Sequence, residues 1–576
     1  MARTGTIIGA GLTASLALVA LEHPVRAQTV PTDPQPTCAI SAPAFNAMFE
    51  SGTVTLNGVV KPADSTLVLN PNCPFFTWSE QMYLWMTSPA PSRYGGGSRI
   101  MFSPTFYTVS PPGANGRRDF IQNNPRLPLR MMLRATELGP HLLPAVLTRT
   151  GQVVEVARPD PRKPVPAQIR LLSGALVPLS DVRVAPNRQL QFFSAGKPVV
   201  ARKLALPMVQ RPMVMLDGRP RPMVPVAAMQ NAIQARKLVF HGIPVFIDSA
   251  NNVIDVEPGQ ADGGVLISQG NALIYYITVV NDVFAYHRTM QGPALIPQNT
   301  GITFPMTMAD TNAVTAFAAA HGHTIVDPEA LAIESKSSWI EASAVPNPND
   351  YVTVNATVPT FDKSNPNMWV PNGQQTIKLV MVGFHVVGST NGHGEMVWGS
   401  FEHTGNAPSA TYSYNSTSGP KTVQQNSAPG PWLFTPSPAV APFNNMNASW
   451  DFPGTGNIIG TPVAKTPVLR MRPWGMLPNN AASNTQVISS NASVIAQLIA
   501  GDVRRNYFQL GSTWTIGGAA PTSGNQVGTN QLANATIETF MQASSPTTGT
   551  GSNCFSCHFT NKVVVSHSYP EMNPLF

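Results

Sequence analysis

The sequence predicts a mainly β protein, antiparallel and sandwich-like, with a small, partly helical segment at its C-terminus. Three observations lead there. Apolar runs of strand length recur between dispersed turn residues, with 56 prolines and 44 glycines among 576 residues. Two of these runs are joined by Asn391-Gly392, a strong short-range hairpin signal. Hydrophobic residues reach 43% while charged residues are only 11%, so a large core can be buried and the composition is not that of a disordered chain. No repeat of fixed period is visible, which argues against a solenoid.

Residues 1–27 read as a signal peptide. Arg3 supplies the positive end, Ile7 to Leu21 the apolar stretch, and Val25-Arg26-Ala27 a small-x-small cleavage site. The stretch is too short to span a bilayer comfortably, and no later run is apolar for ~18 residues. The expectation is a periplasmic or secreted chain with no transmembrane segment once mature. Residues 28–116 form the N-terminal part of the β-rich domain. Within them, Trp78, Gln81, Met82 and Trp85 fall at helical spacing, and their plain reading is core packing. Tyr94-Gly95-Gly96-Gly97 reads as a flexible loop, because it lacks the Lys and the strand–helix context of a phosphate site.

Residues 117–237 read as a basic, Pro/Arg-rich β insertion. They hold 20 Lys/Arg against 6 Asp/Glu, a net of +14 in a chain of net +7. Asp217-Gly218 marks a hairpin between Leu216 and Arg219. Aromatic residues do not interleave with the basic ones, which argues against nucleic-acid binding. Two readings remain: a solvated insertion, or a surface that attracts an acidic redox partner.

Residues 238–480 form the main β domain. Val245–Asp248 pairs with 252–254 across a turn, 264–268 is joined to 273–279 through Gln269-Gly270-Asn271, and 379–387 to 395–403 through Asn391-Gly392. On the last hairpin, His385 faces Trp398 or a neighbour, and His403 lies opposite a residue near Val380. About five residues at ~3.3 Å each separate the two levels, so this pair cannot chelate one metal. His321-Gly322-His323 could hold copper, but an exposed loop pair is the plainer reading. No Ser-His-Asp order stands out. In residues 481–576, Asn491 is placed to cap a helix carrying Val494, Ile495, Leu498 and Ile499, with Gly501 as its stop. A second helix is expected near Gln531 to Met541, followed by a Ser/Thr/Gly/Pro linker at 544–552.

That linker leads to Asn553-Cys554-Phe555-Ser556-Cys557-His558, which contains C-x-x-C-H. Two thiols three residues apart lie on one helical turn and reach the two vinyl groups of one haem, while the adjacent imidazole sits beneath the iron. With 4 Cys and 11 His in the chain, roughly 0.0005 chance matches are expected. A zinc site needs two further ligands at paired spacing, and Cys38 and Cys73 do not provide it. A thioredoxin-like pair needs a βα context that a loose linker lacks. The motif therefore predicts one covalent haem c held by Cys554, Cys557 and His558, with His558 as the proximal iron ligand. The remaining Cys38 and Cys73 are expected to form a disulfide in an oxidising compartment, the alternative being two buried thiols.

Only 18 residues follow His558, and the stretch from Gly517 to Gly524 interrupts what precedes it, so a self-contained helical haem bundle is not expected. The haem is expected to lie against the β domain. Candidates for the sixth iron ligand are His567 and Met572 in the tail, with His385, His403 and Met541 next in line.

Several stretches taken together resemble a known family. They are Trp78-Ser79-Glu80-Gln81-Met82-Tyr83-Leu84-Trp85, Tyr275-Tyr276 with Val280-Asn281-Asp282-Val283-Phe284-Ala285-Tyr286, Lys336-Ser337-Ser338-Trp339, Gly383-Phe384-His385-Val386-Val387 and Trp398-Gly399-Ser400-Phe401-Glu402-His403. With Glu538-Thr539-Phe540-Met541-Gln542 ahead of the C-terminal motif, they resemble exported bacterial mono-haem cytochrome c family proteins. The resemblance implies a haem protein and names no substrate, and only Cys554, Cys557 and His558 carry over with a role. The expected function is electron transfer by a periplasmic or secreted mono-haem c-type cytochrome. The alternatives are a haem enzyme of peroxidase or oxidase type with an open iron position, and a β-sandwich binding or sensor protein that contains haem.

Overall fold

The computed structural model describes residues 30–65, 72–109, 117–125, 264–294, 296, 302–426, 431–436, 457–465, 467–522, 524–539, 553–558, 566 and 568–576. It also describes short strands at 129–130, between 145 and 254, and at 446–450. Residues 1–27, expected to be a signal peptide, the expected linker 544–552, Met541 and His567 lie outside the described residues.

Thirteen of the described strands form one sheet. In chain order they are β1 (Phe106–Val109), β2 (Phe120–Gln122), β3 (Leu129–Arg130), β4 (Gly264–Ile267), β5 (Tyr275–Asn281), β6 (Ile333–Glu341), β7 (Thr353–Asp362), β8 (Met368–Thr390), β9 (His393–His403), β10 (Met446–Trp450), β11 (Ile458–Lys465), β12 (Tyr507–Thr515) and β13 (Gln526–Gly528). The main path runs β4-β10-β11-β8-β6-β5-β1-β2. The 23-residue β8 also pairs β7 and β9, and β12 and β13 continue from β9. Within this sheet the described ladders are antiparallel except the two-residue pairing of β3 with β7. The mainly antiparallel β class read from the hairpin signals is therefore the class observed.

Helix α1 (Cys73–Met86) crosses one face of the sheet, over β8, β9 and β12. The sequence suggested one aromatic stripe. In fact ten of its fourteen residues are buried, including Phe75, Phe76, Trp78, Tyr83 and Trp85, as expected of a helix with core on every side. It comes close because the sheet offers glycine: a Cβ at Gly399 would meet Ser79 Oγ at 2.5 Å, and one at Gly388 would meet Trp78 Cζ2 at 2.9 Å. Cys38 and Cys73 form a disulfide with Cα atoms 5.1 Å apart, tying the start of α1 to the N-terminal strap.

The Asn391-Gly392 hairpin forms as expected, with Gly392 at φ 75°. So do the antiparallel pairs 246–247 with 253–254, and 213–216 with 219–222. The basic stretch 117–237 is β-rich where it is described. Three expectations are corrected. The turn at 269–271 is tight, yet the strands it joins diverge: beyond the Ile267–Leu273 bridge, β4 pairs β10 while β5 pairs β6. Each strand forms a longer ladder elsewhere. The helix assigned to Asn491 begins ten residues earlier, as α4 (Ala481–Gln497), capped by Asn480; it follows α2 (Asp282–Met290) and α3 (Met308–Ala320). Asn491 lies buried inside it, donating to the Val487 and Gln509 carbonyls and accepting from the Gln509 N–H. Finally, Tyr94-Gly95-Gly96-Gly97 is a defined turn with all three glycines at positive φ, packed on Pro104, Pro125 and Phe102.

Candidate functional site

The cross-strand register decides which side chains share the face of the sheet away from α1. Side chains paired across a ladder point to the same side. Val387 lies opposite Trp398, His385 opposite Ser400, and Gly383 opposite Glu402. On the other edge of β8 the same three residues of that strand meet Glu334, Lys336 and Ser338 of β6. The result is a buried polar strip between two apolar patches.

The C-terminal motif lies at one end of this strip. Residues Cys554–Cys557 form a one-turn helix, α5, and Asn553 closes it with a capping box: the Asn553 N–H donates to Ser556 Oγ, and Ser556 Oγ donates to Asn553 Oδ1. The His558 N–H returns to the Cys554 carbonyl at 2.9 Å, so the turn carries both cysteines and presents the histidine at its end. Cys554 and Phe555 are buried in one cluster with Val387, Met396, Trp398 and Leu532, and the Phe555 N–H donates to Gln526 Oε1 at 3.1 Å. The His558 ring meets Trp398 edge to face, centroids 4.3 Å apart. The motif therefore rests on the central sheet.

His385 is 3% exposed. Its ring donates to the Leu532 backbone, and its Nε2 has no hydrogen-bond partner among the described residues. Burial pushes its pKa down to about 4; the nearby Glu538 carboxylate opposes that shift, and Lys336 and, least of all, His558 add to it. Trp398 Nε1 and Ser400 Oγ, on the same face, are also buried without a partner among the described residues. These three polar atoms lie on one face of the sheet beside the C-terminal motif. Further along the strip Glu402 and Ser338 have partners. Glu402 is paired with the buried Arg470 and accepts from the Ala535 N–H at 2.8 Å, and Ser338 shares a hydrogen bond with Thr536 at 2.8 Å.

Residues 529–539 cover this strip, and they correct the second expected helix. The chain there is irregular, with Glu538 at φ 57°. Asn534 organises it: its Oδ1 accepts from the Thr536 and Ile537 N–H groups, and its Nδ2 reaches the Phe401 carbonyl. A local side-chain bond of this kind competes directly with helix formation.

The tail folds back beside the motif. Met572 is fully buried in the same cluster and bridges to Arg118, while Tyr569 is held through its carbonyl by Arg288 and through its hydroxyl by His287. The other histidines that the sequence singles out lie apart. His403 falls three residues beyond Ser400 on β9 and so points to the opposite side of the pleat from His385, stacked on Tyr351 at 3.7 Å. His321 bonds to the Phe317 carbonyl and His323 to Asp282, so their rings serve different partners. The contacts that Leu532, Gln526 and Ser400 make at this site leave no signal in the sequence, because each joins segments far apart along the chain.

No helix among the described residues is long and apolar enough to cross a membrane. No protein-family model matches the chain, and neither a curated protein nor a solved structure matches it.

Proposed function

We propose that the chain is an exported mono-haem c-type cytochrome working in electron transfer. The observation that carries this reading is the C-x-x-C-H turn seated on the sheet beside buried polar atoms that lack a partner among the described residues. The residues fit the group chemically. Cys554 and Cys557 stand one helical turn apart and would hold haem through two thioether links, with His558 as the residue that would ligate its iron. Haem bound there supplies one-electron redox chemistry. Trp398 holds the ring plane of His558, and the apolar cluster around Cys554 and Phe555 excludes water from that side. The resemblance to exported mono-haem cytochromes and the Cys38–Cys73 disulfide agree with a periplasmic or secreted location.

Haem staining after denaturing electrophoresis tests the reading. Protein produced with a c-type maturation system should keep its stain, and the double substitution Cys554→Ala, Cys557→Ala should lose it. An unstained wild type refutes the proposal. The net +14 of residues 117–237 suits an acidic redox partner. Association with that partner should slow as salt rises, since exposed charges are screened over about 8–10 Å. Salt-independent kinetics would make the segment a solvated insertion.

A further inference from the structure

We propose that His385 supplies the second axial nitrogen to the haem iron, an assignment that rests on reading Cys554, Cys557 and His558 as the haem site. An imidazole ligand must offer an unprotonated nitrogen, and its other nitrogen is ordinarily fixed by donation to a carbonyl or carboxylate. His385 has both properties: its ring donates to the Leu532 backbone, and its Nε2 is buried with no partner among the described residues. We place the proton on Nδ1 because of that bond, which leaves the Nε2 lone pair open.

Position supports the same residue. The His385–Ser400 pair adjoins the Val387–Trp398 pair on the same face, and Trp398 is the residue against which His558 rests. The remaining described histidines are engaged otherwise. His403 accepts the Gly405 N–H at Nδ1, so its proton is on Nε2, and it points to the other face. His393 bonds to Glu395 and His323 to Asp282. His321 is exposed and held by the Phe317 carbonyl, and His287, on α2, is bonded to Tyr569.

The test uses the matured, haem-stained holoprotein, so failure of attachment and failure of ligation are read separately. The ferric wild type should be low-spin, with the paramagnetic resonance signature of two imidazoles and without the charge-transfer band of a methionine sulfur. His385→Ala should keep its stain, turn high-spin and bind cyanide rapidly, and added imidazole should restore the low-spin spectrum. His385→Met, a variant that preserves bulk, should acquire the sulfur band. A wild-type spectrum in either variant, a sulfur band in the wild type, or a high-spin wild type that binds cyanide rapidly would overturn the assignment.

Discussion

Gly399 decides how closely α1 approaches the sheet. A Cβ there would meet Ser79 Oγ and Cβ at 2.5 and 2.6 Å, and Ser79 is tied to Ser512 beneath it. Overpacking of this kind costs about 1–3 kcal/mol. Gly399→Ala should lower the unfolding free energy by that amount in urea. Gly270→Ala, whose added methyl meets only Ser268 Oγ at 3.7 Å, should stay within about 0.5 kcal/mol of wild type. Asn534→Ala should also destabilise, by about 1–3 kcal/mol, because the Phe401 carbonyl and two buried N–H groups lose their partner. A cost below about 0.5 kcal/mol in the same urea titration would show that Asn534 does not hold the covering segment. The sequence around Asn534 looked helical because Leu532, Ile537, Phe540 and Met541 have nearly the right spacing. One side chain bonding to its own backbone decided otherwise.

Among the elements, α1 depends on a residue more than four hundred positions away. The fully buried Arg504 donates to the Leu84 carbonyl and Ser88 Oγ at the end of the helix, to the Gly58 carbonyl, and to Asp502. Arg504→Ala would leave the Asp502 carboxylate buried without its cation, at a cost of about 3–5 kcal/mol. A thermal transition that moves by less than a degree would contradict that role. The start of the same helix is pinned by the disulfide, whose cysteines lie 35 residues apart. Replacing both cysteines by Ser should remove roughly 3–4 kcal/mol through the freed unfolded chain, and reductant should destabilise the wild type to a similar extent. Neither anchor could be fully foreseen. The pairing of Cys38 with Cys73 followed from elimination, whereas the Arg504 contacts exist only once three separate segments meet.

For the whole molecule, buried titratable groups set the response to pH. Burial alone pushes Glu80 on α1 up to about 8. In the unfolded chain that carboxyl ionises near 4.5, so the folded state holds a proton that the unfolded state has released. Its contribution is therefore fully present below about pH 4.5 and is lost as pH rises to about 8. Glu80→Gln should flatten that slope in denaturation curves measured across this window. An unchanged slope would show that Glu80 is not the group responsible. His287 and His403 act in the opposite direction. Burial lowers them to about 4 and about 3, so the stability they contribute is lost as pH falls from about 6.5 toward those values. His403→Gln should reduce the loss on acidification, as read by the midpoint of acid unfolding.

Features that depend on neighbours along the chain were legible in the residues alone. The C-x-x-C-H turn, the Asn391-Gly392 hairpin and the helix at Trp78 rest on spacing and turn chemistry, and each forms where the residues indicate. Spacing did not reveal which local bonds would win. The Asn480 cap began α4, Asn534 kept residues 529–539 irregular, and the pleat sent the two histidines of one hairpin to opposite faces. Partners then distinguished their rings: Gly405, two residues on, occupies the open nitrogen of His403, while Leu532, from a distant segment, fixes His385 and leaves its Nε2 without a partner among the described residues. An imidazole has no role until its two nitrogens have partners. For His385 the partner lies about a hundred and fifty residues further along the chain, where no local pattern could reveal it.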